Sequence, residues 1–388
     1  MKQTPPQYPE VVSVKLLTDK KNSAGLYIHI PFCRKKCAYC DFYSSFVSEE
    51  LLNQYTEALE KYIEIQGCKF SRPVDTVYLG GGTPSLLKGR LPDLLDKIRR
   101  CFNVEDDAEI TLEANPDGEF EEAVKYAAAA GVNRLSIGVQ SGNDEELALL
   151  GRTHTAYEAM MAFDAARKAG FDNISLDIML GLPDSDKKSL EKSLSFITDL
   201  DPEHISAYIL KLEPNTRLFH ERGKFNFPDD DAVAAQYLFM CEYLEDKGYG
   251  HYEISNFCKD GKYSRHNLKY WDCREYLGLG PGAHSFICGE RFYYPRNLRA
   301  FINGCLPISD GIGGDIEEYL MLRLRLKAGI RFDEFESRYK TKIPQGLIDK
   351  ALIYEKNGLI SFDGGGFSLT DKGMLVSNSI ITELAEEL

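Results

Sequence analysis

No stretch of this 388-residue chain approaches the ~18 consecutive apolar residues that a bilayer-crossing helix needs, so a spanning helix is not expected. The opening Met1-Lys2-Gln3-Thr4-Pro5-Pro6 lacks the apolar core of a secretory signal. A cytoplasmic protein with reduced thiols is therefore the expectation. Basic residues are in deficit, 46 against 60 acidic, for a net charge of −14. Proteins that track phosphates cluster Lys and Arg, so nucleic acid is not an expected partner. No low-complexity segment and no repeat of fixed period occurs, and tryptophan appears once. The cysteines lack a second close group: those at 68, 101, 241, 258, 273, 288 and 305 are scattered. That argues against a disulfide framework and against zinc held by two separated cysteine pairs.

What the chain does have is Cys33, Cys37 and Cys40 at CxxxCxxC spacing, directly after the apolar run Gly25-Leu26-Tyr27-Ile28-His29-Ile30. Three thiolates in one loop can hold three irons of a [4Fe–4S] cube and leave the fourth iron open. Clusters held by four cysteines carry electrons, whereas an open iron can bind and activate a further group. Zinc completed by a histidine is the competing reading. The adjoining Arg34-Lys35-Lys36 reads first as solvated loop and second as an anion contact.

Length suggests two or three domains. Residues 1–23 are polar and aperiodic and read as a flexible lead-in. From residue 24 to 229, short apolar runs alternate with amphipathic helical segments. Strands are expected at Leu26–Ile30, Val77–Leu79, Glu109–Glu113, Leu135–Val139, Ile174–Leu180 and Ile205–Leu210. Helices are expected at Leu87–Phe102, Glu119–Ala130, from the capping box at Thr155 to Gly170, and near Lys187–Leu200. Such repetition predicts a parallel sheet with right-handed crossovers, either open and doubly wound or a partial barrel. Residues 230–310, rich in Tyr, Phe, His and Asn, read as helices with long loops. Residues 311–388 read as helices, a small hairpin and a helix capped by Thr370, resembling a winged helix. With 14 acidic and 10 basic residues from Asp310 onward, that module fits a lid or docking element better than a DNA reader.

The chemically suggestive residues fall at the ends of successive predicted strands. The cysteine loop follows the first, Gly80-Gly81-Gly82-Thr83-Pro84 the second, and Glu113-Ala114-Asn115-Pro116 ends the third. Gln140 closes the fourth and Asp177 lies in the fifth. Ligands bind at the carboxyl ends of parallel strands because loops from several strands converge there. The glycines allow close backbone approach to a ligand, with a tight turn as the plainer explanation. Glu113 and Asp177 suit an ammonium group or ribose hydroxyls, and Arg152 suits a carboxylate or a surface ion pair.

The run Tyr27-Ile28-His29-Ile30-Pro31-Phe32-Cys33, with Cys37, Tyr39 and Cys40, resembles the radical S-adenosylmethionine (SAM) superfamily. The resemblance is greatest to the branch containing oxygen-independent coproporphyrinogen dehydrogenase and the HemW-type haem chaperones. It extends to GGGTP at 80–84, EANP at 113–116, SIGVQS at 136–141, GRTH at 151–154, GLP at 181–183 and GPGAHS at 280–285. It implies a partial (β/α)6 barrel, a [4Fe–4S] cluster on Cys33, Cys37 and Cys40, and SAM on the open iron, cleaved by one electron. The implied SAM contacts are Tyr27, Tyr39, Gly81, Gly82, Thr83, Glu113, Gln140, Arg152 and Asp177, with Tyr39 against the adenine.

Two features separate the relatives. The dehydrogenase has a further cysteine two residues after the third ligand, where this chain has Phe42, and a longer N-terminal arm. The chaperones share His266-Asn267-Leu268-Lys269-Tyr270-Trp271, whose imidazole and rings suit haem iron and a flat macrocycle. His29, His154, His251 and His284 are alternative ligands. The expectation is a radical SAM haem chaperone that carries haem as cargo to a respiratory acceptor, with peripheral membrane association compatible with that role. Oxygen-independent coproporphyrinogen III oxidation is the alternative, and a nucleic-acid-modifying radical enzyme is disfavoured by charge.

Overall fold

A computed structural model describes residues 23–388. The lead-in expected over 1–23 therefore lies outside the described residues except for Ser23, which is buried. Six strands form the centre of the fold: β1 (Ala24–Ile30), β2 (Val74–Gly81), β3 (Val104–Ala114), β4 (Arg134–Gln140), β5 (Ile174–Leu180) and β6 (His204–Ile209). They pair in parallel in chain order, β1 to β6, with no reversal. Parallel crossovers are right-handed as a rule, so an unreversed order sends the helices to one face and curls the sheet. A doubly wound sheet needs a switch point where the order turns back. The partial barrel is the architecture that results.

Strand composition follows from that geometry. Leu26, Ile28, Val77, Leu79, Leu112, Leu135, Ile137, Ile174, Leu176 and Ile205 are buried in one apolar core with Leu59, Leu94 and Leu194 of the covering helices. The alternate positions are polar: Tyr27, Thr76, Tyr78, Thr111, Glu113, Arg134, Ser136, Ser175, Asp177, His204 and Ser206. Side chains alternate along a strand, so these residues form the opposite, lumen-facing surface. Their mutual contacts agree: Tyr78 bonds Glu113, Ser136 bonds Asp177, and Ser175 bonds both His204 and Ser206.

The expected elements recur closely, down to the capping box of Thr155 and Glu158. The helix expected at 87–102 instead begins as a 3₁₀ segment, Pro84–Arg90, that kinks at Lys88 (φ 46°) before Leu91–Cys101. The larger departure is at 230–310. After the helix Asp230–Asp246 the chain forms six short strands in addition to the helices Arg265–Trp271 and Leu298–Ile302. These are β7 (Gly250–Glu253), β8 (Asn256–Cys258), β9 (Tyr276–Leu279), β10 (His284–Ile287), β11 (Glu290–Tyr293) and β12 (Ile308–Ile312). They extend the sheet at both edges, β8 and β7 beyond β6, and β9 to β12 beyond β1. Runs of three to five residues are too short for alternation to register, and their pairing is decided by distant strands. At the C-terminus the helices and hairpin are present, with β13 (Ile330–Arg331) completing a sheet with β14 (Ile360–Phe362) and β15 (Gly366–Leu369). Thr370 caps Asp371–Leu375 through its hydroxyl. Among the described residues no helix is long and apolar enough to cross a membrane.

Candidate functional site at the barrel mouth

The cysteine loop leaves β1 at its carboxyl end, where Ile30 pairs with Gly81 of β2. Ala38 ties it to the barrel: its N–H donates to Leu150 O (2.9 Å) and its carbonyl accepts from Leu218 N (2.8 Å). A hydrogen-bonded chain then links both ends of the loop across three strand ends. Thr83 Oγ1 donates to Cys33 Sγ (3.6 Å) and accepts from Asn115 Nδ2 (2.9 Å). Arg152 donates to Asn115 Oδ1 (2.7 Å), Gly138 O (2.6 Å) and Cys37 Sγ (3.4 Å). Burial pushes the Cys40 thiol up to about 11, and Cys37 and Cys33 push it the same way, so the three sulfurs share one locale. A positive metal centre reverses that penalty, because thiolate is the ligating form.

The glycines serve the loop itself. A Cβ on Gly81 (φ 112°) would lie 2.5 Å from the His29 ring, and one on Gly82 would lie 2.5 Å from Phe32 O. The backbone at the end of β2 is thus pressed against the strand that launches the cysteines. That is a more specific demand than the turn or ligand approach expected from sequence. Gln140 also takes a left-handed backbone (φ 73°) as β4 ends.

Below the loop lie two half-buried carboxylates, Glu113 and Asp177. Glu113 accepts from Tyr78 Oη (2.8 Å) and Gly81 N (3.0 Å), and burial raises its pKa to about 7, with Asp177 adding to the rise. Asp177 accepts from Ser136 Oγ (3.2 Å), and burial raises it to about 6. Carboxylates held this way favour a cationic ligand that restores the charged form. Tyr39 packs with Leu150, Met179, Leu182 and Leu210, and burial raises its phenol well above the usual range. Tyr27 lies deeper and hydrogen-bonds His29 Nδ1 (3.0 Å).

A cavity of about 180 Å³ opens beside the loop, lined by Cys37, Thr83, Asn115 and Arg152 among others. Arg152 Nε is buried without a hydrogen-bond partner, and so fits a carboxylate. Arg34 and Lys35 also line this cavity, although Arg34 is held by Glu119. The donor set suits an iron–sulfur cluster with an amino-acid ligand: three thiols, a guanidinium with a free donor, and two protonatable carboxylates. Asn115, which links Thr83 to Arg152, was missed as a site residue although it stands inside the EANP motif.

His266 is elsewhere. The helix Arg265–Trp271 closes the amino end of the barrel. Glu109 accepts from the N–H groups of Arg265 (3.1 Å) and His266 (3.0 Å) at the helix start. His266 Nδ1 pairs with Thr76 Oγ1 (2.8 Å) and Nε2 with Tyr270 Oη (2.9 Å), and the residue is 0% exposed. Burial drops its pKa to about 3. Lys269, also buried, lies 2.6 Å from Asp75 Oδ1 and donates to Ser23 O (3.2 Å). With both ring nitrogens hydrogen-bonded and the side chain buried, His266 is not presented to an iron ion in this structure. From Gly25, beside His266, to Ile30 is five strand steps, about 17 Å at the usual rise. The cysteine loop and His266 stand at opposite ends of the lumen. The other candidates do not join the cysteines' hydrogen-bonded chain either: His154 bonds Val139 O, His251 bonds Asp371, and His29 bonds Tyr43 O. His284 stacks on Tyr293.

The chain is similar to several known proteins. The radical SAM superfamily profile matches residues 27–197, and the HemN C-terminal domain profile matches 315–376. The heme chaperone HemW of Bacillus subtilis is 37% identical over 377 residues, spanning 93% of this chain and 99% of its own. The chain belongs to the radical SAM superfamily, in its HemW branch. HemW of Mycobacterium tuberculosis is 34% identical, spanning 93% of this chain and 94% of that protein. The mitochondrial radical S-adenosyl methionine domain-containing protein 1 of Danio rerio is 40% identical, spanning 94% and 87%. Among solved structures, coproporphyrinogen III oxidase (HemN) of Escherichia coli superposes with a TM-score of 0.81 at 23% identity, covering 96% of this chain and 93% of that one. That likeness concerns the radical SAM fold and its C-terminal domain.

Proposed function

We propose that this protein is a cytoplasmic radical SAM haem chaperone that binds haem as cargo and passes it to a respiratory acceptor. Three parts would serve that role: the barrel to residue 229, the sheet extensions and plug over 230–310, and the module over 311–388. The haem reading is carried by similarity, along 93% of the chain, to proteins named heme chaperones. Phe42, 69% exposed beside the third cysteine, supports it against the oxidase reading, since a thiol is absent there.

At the mouth, Cys33, Cys37 and Cys40 would hold a [4Fe–4S] cluster, which supplies one-electron chemistry and an open iron for SAM. Thr83 and Arg152 donate to two of the thiol sulfurs, which stabilises their anionic form. Arg152 keeps one donor for the carboxylate of SAM, and Glu113, losing its proton, would receive the ammonium. Tyr39 and its apolar neighbours offer a flat face to the adenine. On the same reading Gly81, Gly82, Gln140, Asp177 and Tyr27 would also border the bound SAM.

The test is a haemin titration of anaerobically reconstituted protein, paired with a coproporphyrinogen III assay on the same preparation. Tight haemin binding with negligible protoporphyrinogen formation is expected. Rapid decarboxylation of the propionates would instead establish the oxidase.

A further inference from the structure

The lower lumen, between the starts of the strands and the plug helix Arg265–Trp271, contains a charge that the fold leaves unanswered. Arg134 is the first residue of β4, on its lumen-facing side; it is 2% exposed and the bulkiest of the fully buried side chains. Its Nε has no hydrogen-bond partner, and no carboxylate pairs with it among the described residues. Thr111, its register neighbour on β3, is also buried, with an unpartnered hydroxyl. So is Ser264, which stands at the cap of the plug helix yet makes no side-chain cap bond. The Ser264 N–H donates to Tyr252 Oη (3.2 Å), which meets His204 Nε2 (2.8 Å). Burial keeps that imidazole neutral, and the Arg134 charge acts in the same direction. Spare donors are thus gathered at the floor of the barrel.

The carboxylates of the lumen are engaged with other groups. Asp75 lies 2.6 Å from Lys269, and Glu109 accepts the N–H groups of Arg265 and His266. Glu113 accepts from Tyr78 and Gly81, and Asp177 from Ser136. A guanidinium stays protonated in proteins, so Arg134 is a fixed cation. A buried charge is costly unless it is paired. Ordered water satisfies N–H and hydroxyl groups but leaves the charge uncompensated. An anion meets both needs, because it accepts several hydrogen bonds and cancels the charge. Thr111 and Ser264 are both 0% exposed, and so enclosed a floor favours a small ion.

We infer that the lower lumen receives a small monovalent anion of the chloride class, held by the Arg134 guanidinium with the hydroxyls of Thr111 and Ser264. This site is distinct from the one at the mouth. Arg134 opens β4, whereas Arg152 bonds Gly138 near the other end of the same strand. A bound anion neutralises the floor beneath Glu113 and Asp177. Those two carboxylates are then left to a cation arriving from the mouth.

The experiment uses the full chain and two probes. Crystals soaked in sodium bromide, measured at the bromine edge, are expected to show an anomalous peak within hydrogen-bonding distance of Arg134 and Thr111 Oγ1. In solution, sodium chloride is expected to raise the melting temperature above that in sodium gluconate of equal ionic strength, since gluconate is too large for the floor. Arg134→Met should abolish this salt-specific shift. Thr111→Val keeps the shape and every charge, and should weaken halide binding about tenfold through the lost hydroxyl; it decides the matter if Arg134→Met does not fold. Only ordered water beside Arg134, or equal melting temperatures in the two salts, overturns the site. A bromide peak without any chloride-specific shift marks an adventitious ion only and overturns it as well.

Discussion

The two ends of the barrel solve opposite problems with similar residues. At the mouth, half-buried polar groups keep spare capacity: Arg152 has a buried Nε donor without a partner, and Glu113 and Asp177 have pKa values raised toward neutrality. Around the plug helix at the base most groups are partnered: Glu109 accepts two backbone N–H groups, Lys269 lies 2.6 Å from Asp75, and both His266 nitrogens are bonded, although Arg134 Nε and Thr111 Oγ1 are buried without partners. A histidine flanked by aromatic residues is therefore no evidence of an open metal site until its ring nitrogens are accounted for.

That contrast can be broken most sharply at the cysteines. Changing Cys33, Cys37 or Cys40 to Ser should abolish the visible absorption of the reconstituted cluster; retention of a full cluster in any variant would place the ligands elsewhere. The base should respond in stability instead. Lys269→Met leaves Asp75 charged and buried, at a cost of about 3–5 kcal/mol in urea unfolding, whereas Lys35→Met at the mouth should stay within about 0.5 kcal/mol. Equal effects at the two ends would remove the distinction between seal and site.

Protons sharpen the comparison further. Glu113 is raised from 4.5 to about 7, so its contribution is fully present below about pH 4.5 and is lost as pH rises through 7. The ligand-free protein should accordingly lose on the order of 3 kcal/mol across that window. A bound ammonium favours the carboxylate, so SAM should bind more tightly, with proton release, between pH 6 and 8, as calorimetry in two buffers would detect. Binding independent of pH would exclude Glu113 from the site. A smaller effect than at Lys269 is expected for Glu109→Gln, which weakens the cap of the plug helix by about 1–3 kcal/mol and should leave SAM affinity unaltered.

Much of this was legible before the fold. Cys33, Cys37 and Cys40 announce themselves by spacing, and the six central strands by runs of Val, Ile and Leu ending in Gly, Asn or Gln. Asn115 was harder, because its value lies in joining Thr83 to Arg152, two residues that are far apart in the chain. The strands of 250–312 were hidden by brevity: Asn256–Cys258 is three residues long and becomes a strand only because β6 offers it an edge.

The sequence by itself determined the cluster loop, the strand–helix alternation and the family, since each is written in local spacing that survives without contacts. Which end of the lumen each motif occupies was decided by the tertiary structure alone. His266 and Cys33 are separated by the length of a strand, and only the pairing of β1 with β2 shows that one stands at its start and the other past its end.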